Sequence, residues 1–83
     1  MATQLSPATV RTDIAEMLHR DPEDITVSED LYESGLDSVR LLTLVERWRA
    51  AGAEVTFVDL AEEPTLRHWL SLLIPKGTAA LDA

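Results

Sequence analysis

The sequence predicts an all-α protein: a small four-helix bundle with a long first loop and a short third helix. Apolar residues recur at helical spacing in three separate windows, and a capping residue heads each of them. The one strand-like run, Val55-Thr56-Phe57-Val58, has nothing to pair with. With 83 residues the chain makes one domain, expected over residues 1–75, with 76–83 as a flexible tail. It has no cysteine, so the core must hold without disulfides or a thiolate zinc site.

The first helix is expected from Pro7 to His19. Ser6 can cap it, Pro7 suits its first position, and Val10, Ile14, Met17 and Leu18 share one face. Pro22 is expected to stop it. A long connection then runs from Asp21 to Asp37. A loop of that length in a small domain is functional or disordered. Ile25, Val27, Leu31 and Leu36 punctuate it and are expected to pin it to the core.

The second helix is expected from Ser38 to Ala51, with Asp37 as its cap and Gly52 as its stop. Leu41, Leu44, Val45 and Trp48 form its core stripe, and Arg47 and Arg49 complement the dipole near its C-terminus. The third, Phe57 to Ala61, opens on a capping box formed by Thr56 and Asp59. The fourth, Leu66 to Leu73, has Thr65 as cap, Pro75 as stop, and Leu66, Trp69, Leu70 and Leu73 on one face. Trp48 and Trp69 are expected in the core.

Fifteen acidic residues against seven basic ones give a formal net charge of −8. That balance argues against nucleic acid and against an anionic membrane as partner. Asp21, Glu23, Asp24, Glu29, Asp30, Glu33 and Asp37 concentrate the acidity in the long loop, which holds no Lys or Arg. Their spacing lacks the alternation of a calcium loop, so a solvated acidic surface is the expectation. No secretory signal and no apolar run long enough to span a bilayer is seen, which points to the cytoplasm. Met1 and a short leader suggest a free-standing protein, although an excised domain would read the same.

Catalytic signals are few. His19 and His68 read as surface histidines, and there is no HExxH, phosphate loop, CxxC or EF-hand pattern. The constellation that stands out is Gly35-Leu36-Asp37-Ser38-Val39. In its plainest form this is a loop glycine, a capping aspartate and a first-turn serine. A serine hydroxyl needs a neighbouring base to act as nucleophile. None is evident, and the Gly-x-Ser-x-Gly elbow is missing. Ser38 therefore reads as a substrate for another enzyme's base. A helix start favours an attached phosphate, so a phosphate-linked prosthetic group on Ser38 is physically coherent.

The stretch Gly35-Leu36-Asp37-Ser38-Val39-Arg40-Leu41-Leu42 resembles the attachment motif of the phosphopantetheine-bearing carrier proteins. Leu31 and Leu36 sit where that family anchors its first loop. Phe57-Val58-Asp59-Leu60 and Glu63-Pro64-Thr65-Leu66 resemble its third helix and the start of its fourth. Asp37-Ser38-Val39-Arg40, then Glu46-Arg47-Trp48-Arg49 and Val55 to Ala61, resemble the aryl carriers of nonribosomal peptide and siderophore assembly. The resemblance implies a carrier and not an enzyme. A phosphopantetheinyl transferase would move 4′-phosphopantetheine from coenzyme A onto Ser38, with Asp37 and Leu36 beside it in the motif. An aryl- or acyl-adenylating enzyme would load the thiol, and a downstream condensation or tailoring domain would take the acyl group onward. A monomer is expected.

At about 100° per residue, Val39 lies opposite the core stripe and Leu42 roughly 40° from Ser38. On geometry alone Leu42 either widens the core stripe or presents a docking surface. The resemblance favours docking, and it implies the same role for Phe57 and Ala61, for which ordinary core packing is an equal alternative. Val39 and Arg40 complete the implied partner surface. Helix two carries Arg40, Arg47 and Arg49 against Glu46 alone, which departs from the acidic helix of fatty-acid carriers. The loop's acidity either steers a basic transferase or, more simply, keeps the protein soluble. A peptidyl or polyketide-type carrier is the near alternative, and a plain helical interaction module the distant one.

Overall fold

In a computed structural model, which describes residues 5–74, four α-helices surround one apolar core and no strand occurs among the described residues. Helix α1 spans Pro7–Leu18, α2 Ser38–Ala50, α3 Phe57–Ala61 and α4 Leu66–Leu73. Helix α1 packs on α2 and α4, and α2 on α3. The stop assigned to Pro75 and the tail at 76–83 lie outside the described residues.

The helix starts follow from local chemistry. Ser6, Asp37, Thr56 and Thr65 are the four N-caps, each accepting a backbone N–H from three residues on. At α3 the box is reciprocal: Asp59 N donates to Thr56 Oγ1 at 3.2 Å, and Thr56 N to Asp59 Oδ2 at 3.0 Å. A five-residue helix cannot hold itself, so this cap and the burial of Leu60 beneath it carry α3.

Two helix ends differ by a residue from expectation. Helix α1 stops at Leu18, because His19 turns left-handed at φ 56° and Arg20 N donates back to the Ala15 carbonyl at 3.0 Å. The left-handed cap, not Pro22, ends the helix; Pro22 instead begins a single 3₁₀ turn, Pro22–Asp24. Helix α2 stops at Ala50, with Ala51 as its cap.

The core takes Val10, Ile14, Leu41, Leu44, Trp48, Leu60, Leu66, Trp69 and Leu73 from the helices. Met17 and Leu70 are half-buried at its edge. Both indole rings are fully buried and meet edge to face, centroids 5.8 Å apart.

The long loop is ordered by three buried side chains, Ile25, Leu31 and Leu36. Val27 was expected among them and is not: its side chain is 37% exposed. Its backbone does the anchoring, since the Val27 carbonyl accepts the Arg67 N–H at 2.9 Å. Leu31 N likewise donates to the Pro64 carbonyl at 2.8 Å, tying the loop to the entry of α4.

Candidate functional site

The site is the junction where the long loop becomes α2. Leu36 is buried, so its side chain fixes the chain path immediately ahead of Asp37. Gly35 makes the bend before it at φ 119°, a backbone region that side chains disfavour. Asp37 then caps α2, its Oδ1 accepting the Arg40 N–H at 2.9 Å. Ser38 follows as the first residue of the helix and is exposed. Among the described residues no side chain hydrogen-bonds its Oγ. The hydroxyl is thus presented to solvent on a helix start, with no base bonded to it among the described residues. That arrangement suits a group acted on by another protein.

The loop behind it is held by one carboxylate. Glu29 accepts from Arg20 Nη1 at 2.7 Å, from Thr26 N at 2.8 Å and from Thr26 Oγ1 at 3.2 Å, and also from the Ser34 hydroxyl. Arg20 also donates to the Asp24 carbonyl, and Arg11 to the Ile25 carbonyl. The hydrogen bond from Arg20, helped by those from Ser34 and Thr26, holds the Glu29 carboxyl at about 2 against an ordinary 4.5, although partial burial opposes this. Sequence reasoning saw the acidity of this loop but not that one of its carboxylates organises it. The partner, Arg20, lies beyond the loop's own boundary.

The apolar residues expected at a partner surface fall into two sets. Val39 and Leu42 on α2 are 73% and 46% exposed, so Leu42 does not belong to the core stripe. Phe57 and Ala61 on α3 are half-buried and pack against the core while keeping an accessible side. The sequence reading missed Val58, which is 62% exposed beside Phe57. Arg40 is half-buried, and its Nη1 reaches back to the Gly35 carbonyl at 3.4 Å. His19 is exposed and His68 half-buried. Among the described residues no group of His, Asp and Glu is placed to hold a metal ion, and no helix is long and apolar enough to cross a membrane.

The fold and site together are a four-helix bundle whose ordered loop ends at a capped helix start presenting a serine. Residues 8–73 match the family described as "Phosphopantetheine attachment site", and the chain belongs to that family. Its members carry a covalent 4′-phosphopantetheine, and this chain is a carrier protein domain. The chain is 57% identical over 72 residues to an isochorismatase of Bacillus subtilis, covering 87% of this chain and 23% of that protein. It is 44% identical over 63 residues to the acyl carrier protein ScoB of Streptomyces coeruleorubidus, covering 76% and 74%. It is 38% identical over 68 residues to enterobactin synthase component B of Escherichia coli, covering 82% and 24%. It therefore spans about a quarter of two of these relatives and most of the third. No solved structure matches the chain.

Proposed function

We propose that Ser38 carries the phosphopantetheine arm and that the chain holds an aryl acid as a thioester for nonribosomal peptide or siderophore biosynthesis. The observation that carries this is the exposed Ser38 hydroxyl at the first position of α2, inside the family-matched span and without a partner among the described residues. The fit is chemical as well as positional. The N–H groups of Ser38 and Val39 have no acceptor among the described residues, and these groups and the helix dipole would favour a phosphodiester held there. In the attachment step Ser38 Oγ bonds to the phosphorus of coenzyme A nearest the pantetheine, and the pyrophosphate link breaks. The adenosine bisphosphate leaves, and the hydroxyl proton passes to a base of the phosphopantetheinyl transferase. Once attached, the arm supplies a thiol that holds an acyl group.

The aryl class is supported by relatives whose names carry such products, among them phenyloxazoline synthase of Mycobacterium tuberculosis, 39% identical over 69 residues. An aryl-adenylating enzyme then loads the thiol and a condensation or tailoring domain receives the acyl group. We assign their docking to Val39, Arg40, Leu42, Phe57 and Ala61, and the working compartment to the cytoplasm, where coenzyme A is available. A second reading, a carrier for another acyl class, is favoured by ScoB, of whose length this chain covers 74%.

The test is an intact-mass measurement after incubation with coenzyme A and a broad-specificity transferase, beside Ser38→Ala. A gain of one phosphopantetheine on the parent and none on the variant is expected. No gain on a folded parent would overturn the assignment. Loading with a panel of adenylating enzymes then separates aryl acids from amino acids and polyketide starters.

A further inference from the structure

Attachment at Ser38 adds a negative charge where residues 21–37 already hold seven carboxylates and no Lys or Arg. Most cations of the described residues are committed elsewhere. Arg20 pairs with Glu29, and Arg47 with Asp13 and Glu16. Arg11 donates to the Ile25 carbonyl and Arg49 to that of Val55. Arg67 lies in the first turn of α4. Arg40 differs in its place. It sits in the first turn of α2, two residues after Ser38, and like Arg11, Arg49 and Arg67 it has no carboxylate within 4.0 Å among the described residues. Its one side-chain bond, from Nη1 to the Gly35 carbonyl, is long at 3.4 Å.

Positions two apart on a helix lie about 200° round from one another, so Ser38 and Arg40 do not meet side by side. Both side chains lean toward the helix N-terminus, and the bond to Gly35 shows the Arg40 guanidinium already folded back past that end. A group attached at Ser38 Oγ that turned over the helix start would come toward that guanidinium. We infer that Arg40 is the counter-ion of the Ser38 phosphodiester, a positioning residue that exchanges its long bond to Gly35 for a charge-assisted one to the phosphate oxygens. It thereby holds the root of the arm over the end of α2. Its opposite charge also offsets the proximity of the phosphodiester to the Asp37 carboxylate. This rests on the assignment of the arm to Ser38.

The experiment follows the Arg40 Nε–Hε resonance of ¹⁵N-labelled protein through conversion from apo to holo, the resonance being assigned by its loss in Arg40→Gln. A clear shift on conversion at low salt that collapses in about 0.5 M NaCl is expected, as for an exposed pair. In parallel, the holo-minus-apo difference in Tm should fall by about 2 °C in Arg40→Gln relative to wild type, with Arg40→Lys between them. A resonance that does not move in fully converted wild type overturns the inference, however the variants load. Slower transfer to partner enzymes in Arg40→Gln with no such shift leaves Arg40 with its docking role alone and equally overturns the inference. Absence of any mass gain on wild type is a separate failure, that of the Ser38 assignment itself.

Discussion

Trp48 and Trp69 meet edge to face at the centre of the bundle, and each indole N–H has its own acceptor. Trp48 Nε1 donates to Asp13 Oδ2 at 2.9 Å, and Trp69 Nε1 to the Leu60 carbonyl at 2.8 Å. One pair thus links all four helices: Asp13 is on α1, Trp48 on α2, Leu60 on α3 and Trp69 on α4. The two acceptors are not equivalent. Asp13 keeps Arg47 as a second partner at 3.2 Å, whereas the Leu60 carbonyl lies at the buried end of a helix too short to offer an alternative donor.

Trp69→Phe is therefore expected to cost more than Trp48→Phe. The first strands a buried carbonyl, at about 1–3 kcal/mol beyond the lost ring area; the second leaves a carboxylate still paired and reachable by water, at about 1 kcal/mol. Urea unfolding of the two variants checks the order. Equal losses would show that ring packing, and not the acceptor, sets the cost.

The Glu29 carboxyl gives the domain an acid-sensitive latch. Its folded pKa of about 2 lies below its ordinary 4.5, so the folded state binds fewer protons than the unfolded chain in that interval. The stabilisation is complete above about pH 4.5 and is lost as the pH falls through about 2. Arg20 and Glu29 keep 31% and 18% of their side chains exposed, which discounts the full linkage value to about 1–2 kcal/mol. Wild type should lose that much between about pH 5 and pH 2 relative to Glu29→Gln, which lacks the titration. Parallel stability profiles for the two proteins would remove Glu29 as the latch.

Gly35 supplies the bend that delivers Asp37 and Ser38. A Cβ there would meet nothing closer than Leu18 Cδ2 at 3.8 Å, an ordinary contact, so space is not the obstacle. The positive φ is. Gly35→Ala is expected to destabilise by about 1–2 kcal/mol through backbone strain. If the strained bend relaxes by moving Ser38, transfer of the arm slows as well. Thermal unfolding and the rate of mass gain read the two effects separately; an unchanged Tm would mean that the loop accepts another path.

What the sequence revealed of this fold is what is encoded locally. Ser6, Asp37, Thr56 and Thr65 could be read as caps because each acts on an N–H three residues away. The stripes of α2 and α4 follow from the helical repeat. What could not be read joins distant positions. The grip of Arg20 on Glu29 spans the loop's boundary, and Val27 holds by its carbonyl while its side chain turns outward. His19 takes a left-handed cap that its residue type does not announce. At the site, helical angle placed Leu42 near Ser38 but left it between core and surface, which its 46% exposure decides, whereas the outward face of Val58 depended on how α3 lies against α2.

Leu41 and Leu42 are adjacent leucines with opposite surroundings, which makes them an internal control for the proposed docking surface. Leu41 is fully buried; Leu42 is 46% exposed, on the same side of α2 as Ser38. Leu41→Ala opens a cavity and should cost about 2–5 kcal/mol. Leu42→Ala removes little buried area and should change stability by less than about 1 kcal/mol. If the α2 surface docks the adenylating or condensation partner, Leu42→Ala lowers kcat/KM for acyl loading or transfer by about tenfold or more, the size of a central apolar contact. Transfer of the arm to Ser38, read by mass, should proceed on both variants if they are folded. A Leu42→Ala protein that loads and transfers at wild-type rates would take Leu42 out of the surface and leave Val39, Phe57 and Val58 as the apolar residues to test in its place.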